Sequence, residues 1–357
     1  MTYPGGSKGR VNRAGATVRA GTATDEDHAV IQTWRAAHRP VLNTFQSLLR
    51  TRTRGTSAKV AQRLKRKSTI YDKLQREREM QLARMDDIAG CRIIFRNIKL
   101  LRQFRKSIHR ARFNHQLRHA DNPDKYDYIT HPKLTGYRGI HDIYVYDVNS
   151  ESGAELKGLY VEIQYRTLIQ HAWATAVEIV GVITDSQPKF QQGDPRIMEA
   201  MSYASEILAR AHESMIGSHP EIPNEELVRA FLDLEGELGL LESLRRLNKA
   251  KADNSESKNF ILDSASDGSL EVHSFRDATE ALRTLFKLEQ EKPFNDIVLV
   301  RADSTEDVRL AFRNYFQDAR EFVRLIETGC ARLSGRERAR GKTPNNSFKP
   351  KPLRGSA

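Results

Sequence analysis

Apolar and polar positions along this chain follow two rhythms, and the switches between them mark its parts. Residues 25 to 54 are weakly patterned at helical spacing. From Lys59 to Met85 the chain is charged, with Ile70, Leu74, Leu82 and Met85 near helical spacing, which predicts one long surface helix. Three β-type runs follow: CRIIF at 91–95, IHDIYVYDV at 140–148 and LYVEIQYRT at 159–167, with a helical stretch from Lys99 to about Phe113 between them. Strands mixed with helices predict an α/β (α+β) core, a mixed β-sheet flanked by helices, over residues 25–217. Leu168 to Gly217 reads as helical, broken by a Pro/Gly/Gln loop at Ser186 to Pro195. In segment 218–251, Leu227, Phe231, Leu234, Leu238 and Leu241 form an amphipathic helix that serves either its own core or a second copy of the chain. A polar linker at Ala252 to Lys258 leads to FILD, SLEVHSF, a helix from Arg276 to Gln290, DIVLVRA and a closing helix pair. This predicts a separate small α+β domain at 258–330, whose role the sequence leaves open.

Charge adds two terminal segments. Residues 1–24 hold Lys8, Arg10, Arg13 and Arg19, no acid and few large apolar groups, so a mobile basic arm is expected. Residues 331–357 carry eight Lys or Arg against Glu337, the pattern of a disordered basic tail. The 357 residues have a formal net charge of +12, which favours polyanionic partners such as nucleotides. That tail supplies more than half of it, so the charge argument needs local support. Cys91 and Cys330 match no metal spacing, and two cysteines in so long a chain suit a reducing compartment. No apolar run approaches the roughly 18 residues of a membrane span, so a soluble, cytoplasmic protein without a membrane partner is expected.

Four clusters could carry chemistry. RLKRKSTIYDK places Arg63, Lys65, Arg66 and Lys67 before Thr69, with Lys73 one helical turn further on, a set able to clamp a triphosphate. A solvated helix face or an RNA-binding surface would look the same. Asp86 and Asp87 precede the β-branched run of CRIIF, where a carboxylate suits either a metal or a turn. In LYVEIQYRT, strand alternation sends Tyr160, Glu162, Gln164 and Arg166 to one face. On neighbouring strands, Asp87 and Glu162 would share Mg²⁺, which takes carboxylate oxygens together with phosphates. The loop DYITHPKLTGYRGIH offers Lys133, Tyr137 and His141 around two glycines, groups that hold a nucleotide by stacking and phosphate pairing, or that satisfy a hairpin.

In this order the four clusters resemble the synthetase domain of the RelA/SpoT alarmone synthetases, over roughly residues 55 to 215. The resemblance extends into LIQHAWATAVEI, which looks like the helix after the catalytic strand in small members. It implies a nucleotidyltransferase-like fold and transfer of pyrophosphate from ATP to the 3′-hydroxyl of GTP or GDP. Arg63, Lys65, Thr69 and Lys73 would hold the ATP phosphates, and Arg92 would help sandwich the adenine. Asp87 and Glu162 would be catalytic and bind Mg²⁺. Lys133, Tyr137, His141 and Gln164 would form the acceptor side, with Tyr137 stacked on a purine. Thr69 stands where the family usually has Ser, and Gly139 where many members have Ser. No His and His-Asp metal pattern precedes Arg63, so a synthetase-only protein is expected. Toxin-like relatives widen the acceptor to the tRNA 3′ end or adenine nucleotides, for which Lys99 to His119, with seven Lys or Arg and no acid, leaves room. A homo-oligomer, an antitoxin or regulator, and a noncatalytic RNA-binding module remain as further alternatives.

Overall fold

The computed structural model describes residues 3–184, 193–246, 258–265, 269–292, 295–302, 307–308, 311–312 and 318–335. In chain order the elements are α1 (Lys8–Ala20), α2 (Asp25–Thr53), β1 (Lys59–Leu64), α3 (Lys67–Arg76), β2 (Ala89–Phe95), α4 (Ile98–His109), β3 (Gln116–Leu117), β4 (Ile140–Val145) and β5 (Tyr160–Thr167). There follow α5 (Leu168–Ile183), α6 (Pro195–Leu208), α7 (Asn224–Leu238), α8 (Leu240–Arg246), β6 (Asn259–Ser264), β7 (Leu270–Phe275), α9 (Ala278–Glu291), β8 (Asp296–Arg301) and α10 (Arg320–Leu333). The strands form one mixed sheet in the order β3-β4-β5-β2-β1-β8-β6-β7. One neighbouring pair, β2 with β5, is parallel, and the others are antiparallel.

Strand alternation assigns the two faces different work. Cys91, Ile93 and Phe95 of β2 and Val161, Ile163 and Tyr165 of β5 point into the main core, where Ile31, Trp34, Phe45 and Leu49 of α2 cover them. The opposite face is divided. Over β6 and β8 it is apolar, with Phe260, Leu262, Val298 and Val300 packed against Val308, Ala311 and Phe312. Over β4, β5, β2 and β1 it is polar and lies open as a cleft beside a third cluster built from α5, α6, α7, α8 and α10. Among the described residues no helix is long and apolar enough to cross a membrane.

Several sequence expectations are corrected. Residues 8–20 are not a mobile arm but helix α1, because Val11, Ala14 and Val18 lie on one face and are buried. Gly15 lets that helix approach so closely that a β-carbon there would stand 2.7 Å from Leu82 Cβ. The segment from Lys59 to Met85 is not one helix. Val60 to Leu64 pair as a strand with β2, and only Ile70 and Leu74 belong to the short helix α3. The unit expected to stand apart at 258–330 extends the main sheet instead, since β8 pairs with β1 through Gln62↔Arg301 and Arg63↔Val300. The Leu227–Leu241 pattern is two helices, broken at Gly239 with φ 61°, where a left-handed residue ends α7. Leu227 and Phe231 serve the chain's own core there. Of the tail expected at 331–357, residues 331–333 instead close helix α10, with Cys330 and Leu333 packed on the helical cluster; the rest from 336 onward, the linker at 252–257 and most of the loop at 186–195 lie outside the described residues.

The docking of α1 is open to test. Gly15→Val would force a branched side chain onto Leu82 and is expected to cost about 1–3 kcal/mol of unfolding free energy in a urea titration. An unchanged midpoint would mean that α1 does not pack there.

Candidate active site

The cleft, about 550 Å³ in volume, is floored by the polar face of the sheet. Register explains its composition. Gly90 of β2 lies between Arg63 of β1 and Glu162 of β5, and Arg92 lies beside Gln164, which is itself beside His141 of β4. Because Gly90 has no side chain, Arg63 and Glu162 face each other across bare backbone. The Tyr137 loop is held over the other end by hydrogen bonds from Ser202 Oγ to the Leu134 carbonyl (2.9 Å) and from Ser205 Oγ to the Gly136 carbonyl (2.5 Å). Gly136, at φ +85°, is required there, since a β-carbon would lie 2.9 Å from that of Ser205. At Gly139 a β-carbon would come within 3.1 Å of the Tyr137 hydroxyl, so the missing side chain gives the phenol its place.

Five carboxylates line the cleft, Glu77, Asp86, Asp87, Glu162 and Glu178, and the three nearest its floor are in different states. Asp87 accepts from Lys65 Nζ at 2.6 Å and Lys73 Nζ at 3.3 Å. Burial would raise its pKa, but the two ammonium groups outweigh burial and hold it well below the usual range. Lys65 is itself pushed down by burial, which Asp87 offsets only in part, whereas Lys73 ends up raised because Asp87 and Asp86 outweigh its burial. Burial and the charge of Asp87 push Asp86 up, although Arg118 Nη1 reaches it at 3.0 Å. Glu162 is almost fully buried and sits between His141 Nδ1 at 2.6 Å and Gln164 Nε2 at 2.7 Å. Burial would raise its pKa too, but His141 overrides this and keeps it lowered.

His141 is the centre of the other end of the cleft. Burial works against its charge, yet Tyr137 and Glu162 raise its pKa to about 9, so at neutral pH both ring nitrogens donate. Nδ1 serves Glu162, and Nε2 serves the Tyr137 hydroxyl at 2.5 Å. Arg166 Nη2 donates to the same hydroxyl at 3.2 Å. Burial would raise the phenol, but Arg166 and His141 lower it to about 8. Lys133 Nζ stands 4.5 Å from the centre of the Tyr128 ring and 5.7 Å from that of Tyr137.

Of the eleven residues singled out in the sequence, nine line this cleft: Arg63, Lys73, Asp87, Arg92, Lys133, Tyr137, His141, Glu162 and Gln164. Lys65 lies behind them, buried against Asp87, and Thr69 sits half-buried in the first turn of α3 without lining the cleft. Asp86 and Arg166, noted but given no role, also belong to it. Tyr126, Tyr128, Trp173 and Glu178 were not picked out. The spacing of Trp173, Ala174, Val177 and Glu178, one face of a helix, was the available signal for the last two. The basic stretch after Lys99 is partly used internally, with Arg102 on Asp127, Arg105 on Asp142 and Asp124, and Arg118 on Asp86.

Residues 62–180 match the family described as a region found in RelA / SpoT proteins. GTP pyrophosphokinase YjbM of Bacillus subtilis is 30% identical over 175 residues, which cover 48% of this chain and 75% of that protein. An uncharacterized protein of Mycobacterium tuberculosis is 29% identical over 196 residues, covering 52% of this chain and 65%, just under two thirds, of its own length. Among solved structures, small alarmone synthetase 1 of Bacillus subtilis bound to its product pppGpp aligns with a TM-score of 0.39 at 26% identity, over 48% of this chain and 87% of that chain. The chain belongs to the RelA/SpoT family.

The charge on His141 makes a prediction about pH. With its pKa raised from 6.5 to about 9, its contribution to stability is complete below pH 6.5 and is lost as pH rises toward 9. The Tyr137 contribution has the opposite sense, present above 10 and lost as pH falls through about 8, so the clean window lies between 6.5 and 8. The stability advantage of the native protein over His141→Gln should shrink as pH rises through that window in urea titrations. A constant difference would mean that the imidazole is not held charged.

Proposed function

We propose that this chain is an ATP-dependent pyrophosphokinase that transfers the β,γ-pyrophosphate of ATP to the 3′-hydroxyl of GTP or GDP, making a (p)ppGpp-type alarmone. The observation that carries this reading is the single cleft with cations and Asp87 at one end, His141 and Tyr137 at the other, and Glu162 between them. Arg63 and Lys73 suit the triphosphate, with Lys65 behind them keeping Asp87 ionised. The first turn of α3 has no side-chain cap, which leaves its N–H groups for phosphate oxygens. Arg92 would take the adenine. Tyr137, Lys133 and Gln164 would take the acceptor base and sugar.

The donor set fits Mg²⁺. Asp87, two residues before β2, and Glu162, on the neighbouring β5, are ionised oxygen ligands, and Asp86 beside them stays raised despite Arg118. Asp87 and Glu162 would hold the ion, which supplies charge neutralisation on the phosphates when bound. In the reaction the 3′-oxygen attacks Pβ, the Pα–O–Pβ bridge breaks on the side of Pβ, and AMP leaves. The hydroxyl proton passes to Glu162. His141, being charged, is no base. It orients the Glu162 carboxylate and holds Tyr137 against the acceptor. The chain's main contribution is therefore positioning, as expected for phosphoryl transfer.

The same chemistry with the tRNA 3′ end as acceptor needs a broad exposed basic surface, and the internal ion pairs of Arg102, Arg105 and Arg118 reduce the one at hand. Incubation with labelled ATP, Mg²⁺ and GTP, GDP or bulk tRNA separates the acceptors. Label is expected in guanosine 3′-pyrophosphates. Glu162→Gln and Asp87→Asn should each lose several kcal/mol of barrier lowering, about a hundredfold or more in rate, since metal-borne charge stabilisation is worth that much. Retained activity in Glu162→Gln would sink the assignment. A folded Asp87→Asn protein, checked by circular dichroism, keeps the test independent of stability.

A further inference from the structure

Among its described residues, the part of the chain that sequence left without a role touches Arg92, which lines the cleft. Val308, Ala311 and Phe312 cover the apolar half of the sheet's cleft-bearing face, and the last two are buried to within 1–2% exposure. Arg92 Nη1 donates to the Ala311 carbonyl at 2.5 Å, and its Cζ stands 5.5 Å from the centre of the Phe312 ring. Phe312 also borders a small gap lined by Ala61, Arg63, Gly90 and Gln164, so it adjoins both arginines of the donor end.

We propose that Phe312 and the Ala311 carbonyl are positioning groups for the donor nucleotide, holding the Arg92 guanidinium as a flat platform whose opposite side meets the purine of ATP. Arg92 is 7% exposed, yet it lines the cleft. It therefore forms the boundary between the ring and the cleft. An unsupported arginine would spend rotamer freedom on binding a base, and one already stacked and hydrogen-bonded does not. Arg92 is also short of counter-charge: burial, with Arg166 and Arg63 nearby, lowers its pKa to about 9. The quadrupole of the Phe312 ring and the Ala311 carbonyl dipole are what the structure sets against that cost. On this account β8 and residues 311–312 are part of the synthetase site, because β8 pairs with β1, the strand of Arg63, and Ala311 and Phe312 support Arg92.

The inference rests on the proposed ATP site, and its test separates the two. Binding of a nonhydrolysable ATP analogue and of GTP is measured by calorimetry on the full chain, for the native protein, Phe312→Leu, Arg92→Ala and the double variant. Phe312→Leu keeps apolar volume and removes the ring face. It should weaken the ATP analogue about three- to thirtyfold, the range of cation–π contacts from exposed to desolvated, and leave GTP unchanged. In the Arg92→Ala background the same change should have no further effect on ATP. Unchanged ATP affinity in Phe312→Leu, or equal weakening for both nucleotides, would overturn the inference alone. Tighter ATP binding would also overturn it and make the segment an obstruction of the site. A native protein that binds no ATP analogue would overturn the donor-site reading and this inference with it.

Discussion

The parallel pairing of β2 with β5 is the constraint on which the site depends. Its register runs Ala89↔Val161, Gly90↔Glu162 and Arg92↔Gln164. One face of that pair buries Cys91, Ile93, Val161, Ile163 and Tyr165 beneath α2, and the burial of those side chains is what pins the register. A slip by one residue would turn Glu162 and Arg92 into the core and bring apolar groups into the cleft. A parallel pair also needs a long crossover. Here the crossover carries α4, the Tyr137 loop and β4 back across the sheet, and so delivers Lys133, Tyr137 and His141 beside the carboxylates.

Within that frame the charges are balanced locally rather than by solvent. Lys65 and Lys73 stand on Asp87, His141 and Gln164 on Glu162, and Arg166 on Tyr137. Buried ions are costly unless paired, and each of these is paired. The exceptions are informative. Asp86 is driven toward its neutral form by burial and by Asp87, and Arg92 is driven down by burial among like charges. Arg118 pairs with Asp86 without cancelling that shift, and Arg92 is set against a carbonyl and a ring rather than a bound carboxylate, at the places where a metal and a nucleotide donor are proposed.

Much of the floor was legible because strands have a strict period of two. Glu162, Gln164 and Arg166 alternate with Val161, Ile163 and Tyr165, and that alternation survives in the structure. Lys59 to Leu64 were less legible. Polar Gln62 and Arg63 interrupt the apolar residues Val60, Ala61 and Leu64, so only pairing with β2 and β8 makes the segment a central strand. Helix α1 was missed for a related reason: glycine and threonine mask its helical pattern, and its stability comes from packing Val11 and Gly15 against the body of the protein rather than from propensity.

Most of the polar residues that line the cleft could be nominated from short stretches of sequence, because side-chain chemistry and strand alternation are local properties. Asp87 before a buried run, Glu162 in alternation and Tyr137 between two glycines can all be recognised from their neighbours. Only the tertiary structure decided that β8 joins the same sheet and that Phe312 comes to rest beside Arg92, 220 positions earlier in the chain. Contacts between segments so far apart follow from burial of whole faces, and no short pattern of residues encodes them.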